Sequence, residues 1–211
     1  NRRLSIKNLP APVLSSLRWP GRPDLPDGNS AWTYMLNTPQ GNFALFVGHM
    51  DPAEDSAAKG AFPFEVWVNG ADQPRGLGAV AKTLSMDMRA NDRGWLKLKL
   101  EALSKTIGEK PFELRFPPHG EQKLMPGVVA AFAQVVRYRC EKLNALDGDL
   151  PTPVLDSVFS LQEPKTGTDG TLSWTVDIQN PATGEDFVLG LKEITLPDGV
   201  TRPYSMWLSG N

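Results

Sequence analysis

The chain has 211 residues, of which 40% are apolar, with nine Phe, six Trp, 19 Gly and 19 Pro. That is enough apolar material for a real core, so global disorder is excluded, and one large or two small domains are possible. A formal charge of −2 argues against a dedicated nucleic-acid binder. No apolar run reaches the roughly 20 residues that cross a membrane.

The N-terminal Asn1-Arg2-Arg3-Leu4-Ser5 lacks the apolar centre of a signal peptide and does not begin with Met, which suggests a preceding piece. The single cysteine, Cys140, cannot form an internal disulfide, and a cytoplasmic setting fits best.

Residues 11–17 form a short apolar segment. From Leu17 to Asn29, Pro20, Pro23 and Pro26 impose an extended, irregular path. Three strands are then expected. They are Ala31 to Leu36, Asn42 to His49 after the turn signal Thr38-Pro39-Gln40-Gly41, and Pro63 to Asn69 after a small polar loop over 51–60. In the third, Phe64, Val66 and Val68 alternate with Glu65, Trp67 and Asn69, as in a strand whose two faces are covered differently.

Helices follow. Leu77, Val80, Ala81, Leu84 and Met88 recur at helical spacing. Asp92 is placed to cap a second helix with Leu96, Leu100, Leu103 and Ile107 on one stripe. Leu96 to Leu100 also alternates like a strand, but Lys, Leu, Glu and Ala favour helix. The clearest helix runs from about Pro126 to Asn144. Its buried stripe is Val128, Val129, Phe132, Val135, Val136, Cys140 and Leu143, and Arg137, Arg139, Glu141 and Lys142 fall on or beside its wet face.

The strand part then recurs, about 141 residues on. Pro12-Val13-Leu14-Ser15-Ser16-Leu17 corresponds to Pro153-Val154-Leu155-Asp156-Ser157-Val158, and Asp27-Gly28 to Asp169-Gly170. Trp32-Thr33 corresponds to Trp174-Thr175, and Gly41 and Phe43 to Gly184 and Phe187. Pro63-Phe64-Glu65-Val66-Trp67-Val68-Asn69-Gly70 corresponds to Pro203-Tyr204-Ser205-Met206-Trp207-Leu208-Ser209-Gly210. Strands are expected again at 172–178, 185–193 and 203–209.

The fold class expected is α+β: a duplicated unit of antiparallel sheet followed by helices, spanning 11–150, then a second copy over 151–211 truncated after its strands. The first copy continues from Ala71 to about Leu146, and the second stops at Asn211. Its apolar face, with Val188, Leu189 and Trp207, should then pack on the first copy or on another molecule, or stay sticky.

Candidate chemistry is sparse. Asn69 to Ala79 passes from a strand through a Gly- and Pro-rich turn into a helix. Arg75, Gly76, Gly78 and Lys82 could there offer backbone N–H groups and positive charge to a phosphate or nucleotide. The spacing is neither a Walker loop nor a dinucleotide fingerprint. The plainer reading is a tight turn whose glycines allow close helix–sheet packing.

His49 and His119 have no ligand-spaced partner, so structural roles are expected and no metal site is assigned. Cys140 reads as a small buried side chain. Asp87, Arg89, Asp92 and Arg93 read as caps and ion pairs. The tryptophans could stack single-stranded bases. Two repeat-related pairs in strands favour core packing instead. No Ser–His–Asp pattern stands out.

Several blocks carry a resemblance. They include Leu17-Arg18-Trp19-Pro20-Gly21-Arg22-Pro23, Gln73-Pro74-Arg75-Gly76-Leu77-Gly78-Ala79 and Leu84-Ser85-Met86-Asp87-Met88-Arg89. Phe116-Pro117-Pro118-His119-Gly120-Glu121, Glu163-Pro164-Lys165-Thr166-Gly167-Thr168-Asp169-Gly170 and Asn180-Pro181-Ala182-Thr183-Gly184-Glu185-Asp186-Phe187-Val188-Leu189 add to it, with the strand block from Pro63 to Ala71. Together they resemble the C-terminal extension of long proteobacterial adenosylcobalamin-dependent (class II) ribonucleotide reductases, over about Leu17 to Gly210.

The resemblance implies a parent enzyme that makes deoxyribonucleotides through a thiyl radical on one cysteine, regenerated by a cysteine pair. Cobalamin and nucleotide would bind on its catalytic barrel. Cys140 sits in no such motif, so no catalytic residue carries over and no cofactor is expected in this region itself. The implied role is a non-catalytic accessory or assembly region. Its partners would be the catalytic part of the reductase and, through the second repeat, another copy of itself.

Overall fold

The computed structural model describes residues 22, 25–51, 61–90, 92–146, 152–156, 173–195 and 199–210. The chain divides into two compact units, Asn1–Ser157 and Val158–Asn211. The expected segments 11–17 and the greater part of 51–60 lie outside the described residues, as do Asp169-Gly170 and Trp19.

The first unit opens with an antiparallel sheet of β1 (Ala31–Thr38), β2 (Gly41–Met50) and β3 (Phe62–Asn69) in that order. Helices α1 (Leu77–Arg89) and α2 (Arg93–Ser104) follow. Then come a hairpin of β4 (Phe112–Phe116) and β5 (Glu121–Met125), the long helix α3 (Val128–Lys142) and a single turn, α4 (Pro153–Asp156). Sheet and helices segregated along the chain make this an α+β fold.

Strand alternation sets the core. Leu36, Phe43, Leu45, Val47 and Val66 are buried on one face, against Leu77, Ala81, Leu84 and Met88 of α1 and the stripe of α3. Phe132, Val135, Val136 and Cys140 of α3 have no exposed surface at all. Both helix stripes fall where the 3.6-residue spacing puts them. Ile107 does not: α2 ends at Ser104, and Ile107 is 84% exposed beyond it. The β4–β5 hairpin was not anticipated. Its strands have five residues each, and β5 has a single buried position, Met125, which leaves too short a pattern to read.

The edge of β3 is closed by a side chain. The Ser85 hydroxyl accepts from the Val66 N–H at 2.9 Å and donates to the Val66 carbonyl at 3.1 Å. Arg89 Nε donates to the Phe64 carbonyl at 3.1 Å. Helix α1 thus covers the face of the sheet and satisfies backbone groups on its outer edge.

The expected charge cluster around Asp92 is a structural node. The buried Asp92 carboxylate caps α2 by accepting from the Trp95 N–H at 2.8 Å. Its other oxygen accepts from the N–H groups of Val154 at 2.8 Å and Leu155 at 3.0 Å, which ties α4 to α2. Asp87 accepts from the Trp95 indole at 2.8 Å, and Arg93 donates to the Asn144 carbonyl at 2.7 Å. The turn Pro153–Asp156, sequence counterpart of residues 12–15, is therefore built into the first unit.

The second unit contains β6 (Ser173–Gln179), β7 (Asp186–Thr195) and β8 (Thr201–Gly210), antiparallel and in the same order. The registers coincide. Trp32 pairs with Val47, and Trp174 with Leu191. In the first sheet the pairing passes from Gly48–Glu65 to His49–Pro63, stepping over Phe64. In the second it passes from Lys192–Ser205 to Glu193–Pro203, stepping over Tyr204. A bulge at the same place in both sheets is a specific feature that supports duplication. The copies differ at their first hairpin. Two residues, Pro39 and Gln40, connect β1 to β2. Between β6 and β7 the loop Asn180 to Glu185 closes on bonds from the Thr183 and Gly184 N–H groups to the Asn180 carbonyl.

One tryptophan expectation needs correction. Trp67 is 54% exposed and Trp207 38% exposed; in β3, Val66 and Val68 take the covered face and turn the residue between them outward. Trp207 instead lies across Gly190, its cross-strand partner, where an added Cβ would meet the indole at 2.0 Å. Trp174, counterpart of the core-packed Trp32, is 58% exposed.

Replacing Asp92 by Ala removes one acceptor from three backbone donors at two helix starts, and stability should fall by roughly 2–3 kcal/mol in urea unfolding. Asp92→Asn keeps an acceptor for the Trp95 N–H while turning an amide donor toward Val154 and Leu155. It should therefore lose less than Asp92→Ala.

Candidate functional site

The four residues marked for phosphate binding lie together at the start of α1. Arg75, Gly76, Gly78 and Lys82 are all exposed. Gly76 adopts the left-handed conformation, φ 82°, immediately before the helix, and its carbonyl accepts from the Ala79 and Val80 N–H groups. No side chain caps this end. Nothing lies within 4 Å of a Cβ added at Gly76 or Gly78, so these glycines do not serve close packing. The glycine that does is Gly70, where an added Cβ would meet the Asn42 carbonyl and Phe43 Cβ at 2.9 Å. Gly76 is needed for its backbone angle, and Gly78 for neither reason.

His119 is exposed in the β4–β5 turn. His49 lies within β2 at the bulge, not after the strand, and its Nδ1 is buried without a hydrogen-bond partner among the described residues. Among the described residues no group of three or more His, Cys, Asp or Glu is placed to hold a metal ion. Nor is any helix among them long and apolar enough to cross a membrane.

Cys140 is fully buried in the stripe of α3. Burial pushes its thiol up to about 12, against a smaller lowering by the Arg139 guanidinium and a further raising by the Glu141 carboxylate. It is a protonated packing group at neutral pH.

A second cluster was not read from the sequence. Four rings form a continuous chain: Trp32 stacks on Tyr34 at 5.5 Å, Trp32 meets Tyr138 at 6.1 Å, and Tyr138 meets Phe116 edge-on at 5.9 Å. Cations rest on it. Lys123 Nζ is 4.5 Å from the Phe116 centroid, Lys142 Nζ is 5.7 Å from that of Tyr138, and the Arg139 guanidinium carbon is 5.8 Å from that of Trp32. The Tyr34 hydroxyl donates to the Arg115 carbonyl, and burial raises its pKa.

The exposed stripe of α3, with Gln134, Arg137, Tyr138 and Glu141 at helical spacing, faces Phe116 and Lys123 of the hairpin and Ser104 at the end of α2. Between them lies an open cleft of about 410 Å³. Arg137 pairs with Glu141 at 2.8 Å. Arg137, Glu141 and Lys142 of α3 were placed on or beside its wet face by periodicity, whereas Tyr138 was not singled out. Their meeting with Phe116 and Lys123 depends on the unread hairpin.

No protein-family model, curated protein or solved structure matches the chain.

Because the Cys140 thiol is buried and neutral, a disulfide reagent should leave it unmodified in the native chain near neutral pH and label it once the chain is unfolded. Its stabilising effect is complete below pH 9.0, the unfolded value, and is lost as pH rises through the folded value of about 12. Urea unfolding on either side of pH 9.0 should therefore show a steeper alkaline loss for the native chain than for Cys140→Ala.

Proposed function

We propose that this region is a non-catalytic accessory and assembly module of an adenosylcobalamin-dependent ribonucleotide reductase, working in a cytoplasmic setting. The likeness of its long sequence blocks to the extension of those enzymes supports the reading. The cobalamin and the radical chemistry belong to the parent's catalytic part. No step of that chemistry is assigned to residues of this chain.

The observation that carries the assembly role is the uncovered face of the second sheet. By register, Met206 corresponds to Val66 and Leu208 to Val68. Val66 is 1% exposed beneath α1, whereas Met206 is 75% and Leu208 67% exposed. With Trp174 they present apolar surface on the side that the first sheet buries. Such a patch marks a contact surface. The catalytic part of the reductase, or a second copy of this region, is the partner that the reading supplies.

Removing the region from the full reductase should change the mass of the enzyme in solution while ribonucleotide reduction persists. Met206→Lys with Leu208→Lys in the full enzyme should reproduce the change in mass. Reduction of ribonucleotides by this chain alone, given cobalamin and thiol, would refute the non-catalytic reading. An unchanged mass after both alterations would refute the assembly role.

A further inference from the structure

We propose that the cleft between α3 and the β4–β5 hairpin binds a small anion that carries a planar ring. The proposal starts from Lys123. Residues 112, 114 and 116 of β4 and 121, 123 and 125 of β5 share one face of the hairpin, and that face holds the buried Phe112, Leu114 and Met125. Lys123 stands opposite Leu114 on this face and is itself exposed, where it lines the cleft together with Phe116. Its ammonium lies over Phe116, 4.5 Å from the ring centroid.

Among the described residues no carboxylate comes within ion-pair distance of Lys123. A ring face compensates a cation far less than a carboxylate does, so the ammonium keeps most of its capacity for an anion.

Across the cleft, Arg137 contacts Glu141 through Nε. Its two terminal nitrogens have no protein acceptor among the described residues. Glu141 therefore neutralises one of two facing cations and leaves the cleft with a net positive charge. Lys142, close by on Tyr138, adds to it.

The rest of the lining sets the shape. Phe116 and Tyr138 meet edge-to-face and form an apolar wall. Gln134 supplies an amide on the helix side. A volume of about 410 Å³ is in the range of small-ligand sites. A ring against the aromatic wall, with its phosphate or carboxylate between Lys123 and Arg137, would use both the charge and the shape.

Titration calorimetry on the full chain tests this with phenyl phosphate and benzoate as ring-bearing anions and inorganic phosphate as charge without a ring. Saturable binding of phenyl phosphate, benzoate or both is expected, with inorganic phosphate weaker by about tenfold. Lys123→Met keeps the aliphatic stem and should weaken binding about tenfold. Arg137→Gln, on the exposed stripe of the helix, should do the same. Lys97→Met, on the exposed side of α2, should leave it unchanged.

Unchanged circular dichroism and melting would show the variants folded. If Lys123→Met does not fold, Arg137→Gln decides alone. The proposal is overturned by no saturable heat at millimolar ring anion, by equal binding of inorganic phosphate, or by binding that no folded variant weakens.

Discussion

The hydroxyl of Ser85, held between the N–H and carbonyl of Val66, shows what the fold has to solve. A three-stranded sheet has one apolar face and two edges. Its edge backbone groups cannot be buried without partners. Helix α1 meets both needs with one surface. Leu77, Ala81, Leu84 and Met88 cover the face, while Ser85 and Arg89 bond to β3 backbone groups. Serine is a modest helix former. Here its short side chain reaches the strand edge, and its one hydroxyl proton is shared between the Val66 and Ala81 carbonyls. The position joins local helix structure to the tertiary contact that the sheet requires.

The second sheet poses the same problem with the same register. Its bulge, strand order and pairing repeat those of the first, so the backbone is constrained alike. The side chains are not. Phe46 is replaced by Gly190, which lets Trp207 lie across the sheet. The buried Glu65, which accepts from Arg22 Nε at 2.8 Å, is replaced by Ser205. The outer face thus has a hydroxyl in place of the buried carboxylate, and an indole packed on a glycine. The face that α1 covers in the first copy has stayed apolar, with Met206 and Leu208. Apolar residues are retained on this exposed face beside change on the other, as the proposed contact role requires.

How much of this was readable follows from the length of each signal. Strands of seven to ten residues in two colinear copies could be aligned with each other, and α1, α2 and α3 are long enough for their 3.6-residue stripes to stand out. The Asp92 cap was legible because Asp directly before a helical pattern has a local reason. Its second job, receiving the N–H groups of Val154 and Leu155, was not, because those donors lie 62 and 63 residues away. Trp67 was misjudged because its place in a repeated strand suggested burial, whereas alternation with Val66 and Val68 already pointed it outward. The glycines of the Arg75–Gly78 turn were misjudged for another reason. Sequence shows that a glycine is present, but not whether space or backbone angle requires it.

The aromatic–cation cluster could not be read for a related reason, and its energetics explain why it bears on function. Arg139 and Lys142 lie in the last turn of α3, where positive charge offsets the helix dipole, so their presence alone has an ordinary structural account. Lys123 has no such account. It is an exposed residue of a strand, on the face that carries Leu114, and it meets a ring instead of a carboxylate. The attraction to that ring amounts to about 0.5–1 kcal/mol at an exposed site, well below a charge-assisted hydrogen bond to an anion. A cation there adds little to the fold, and the property it does add is an affinity for negative charge beside two aromatic rings.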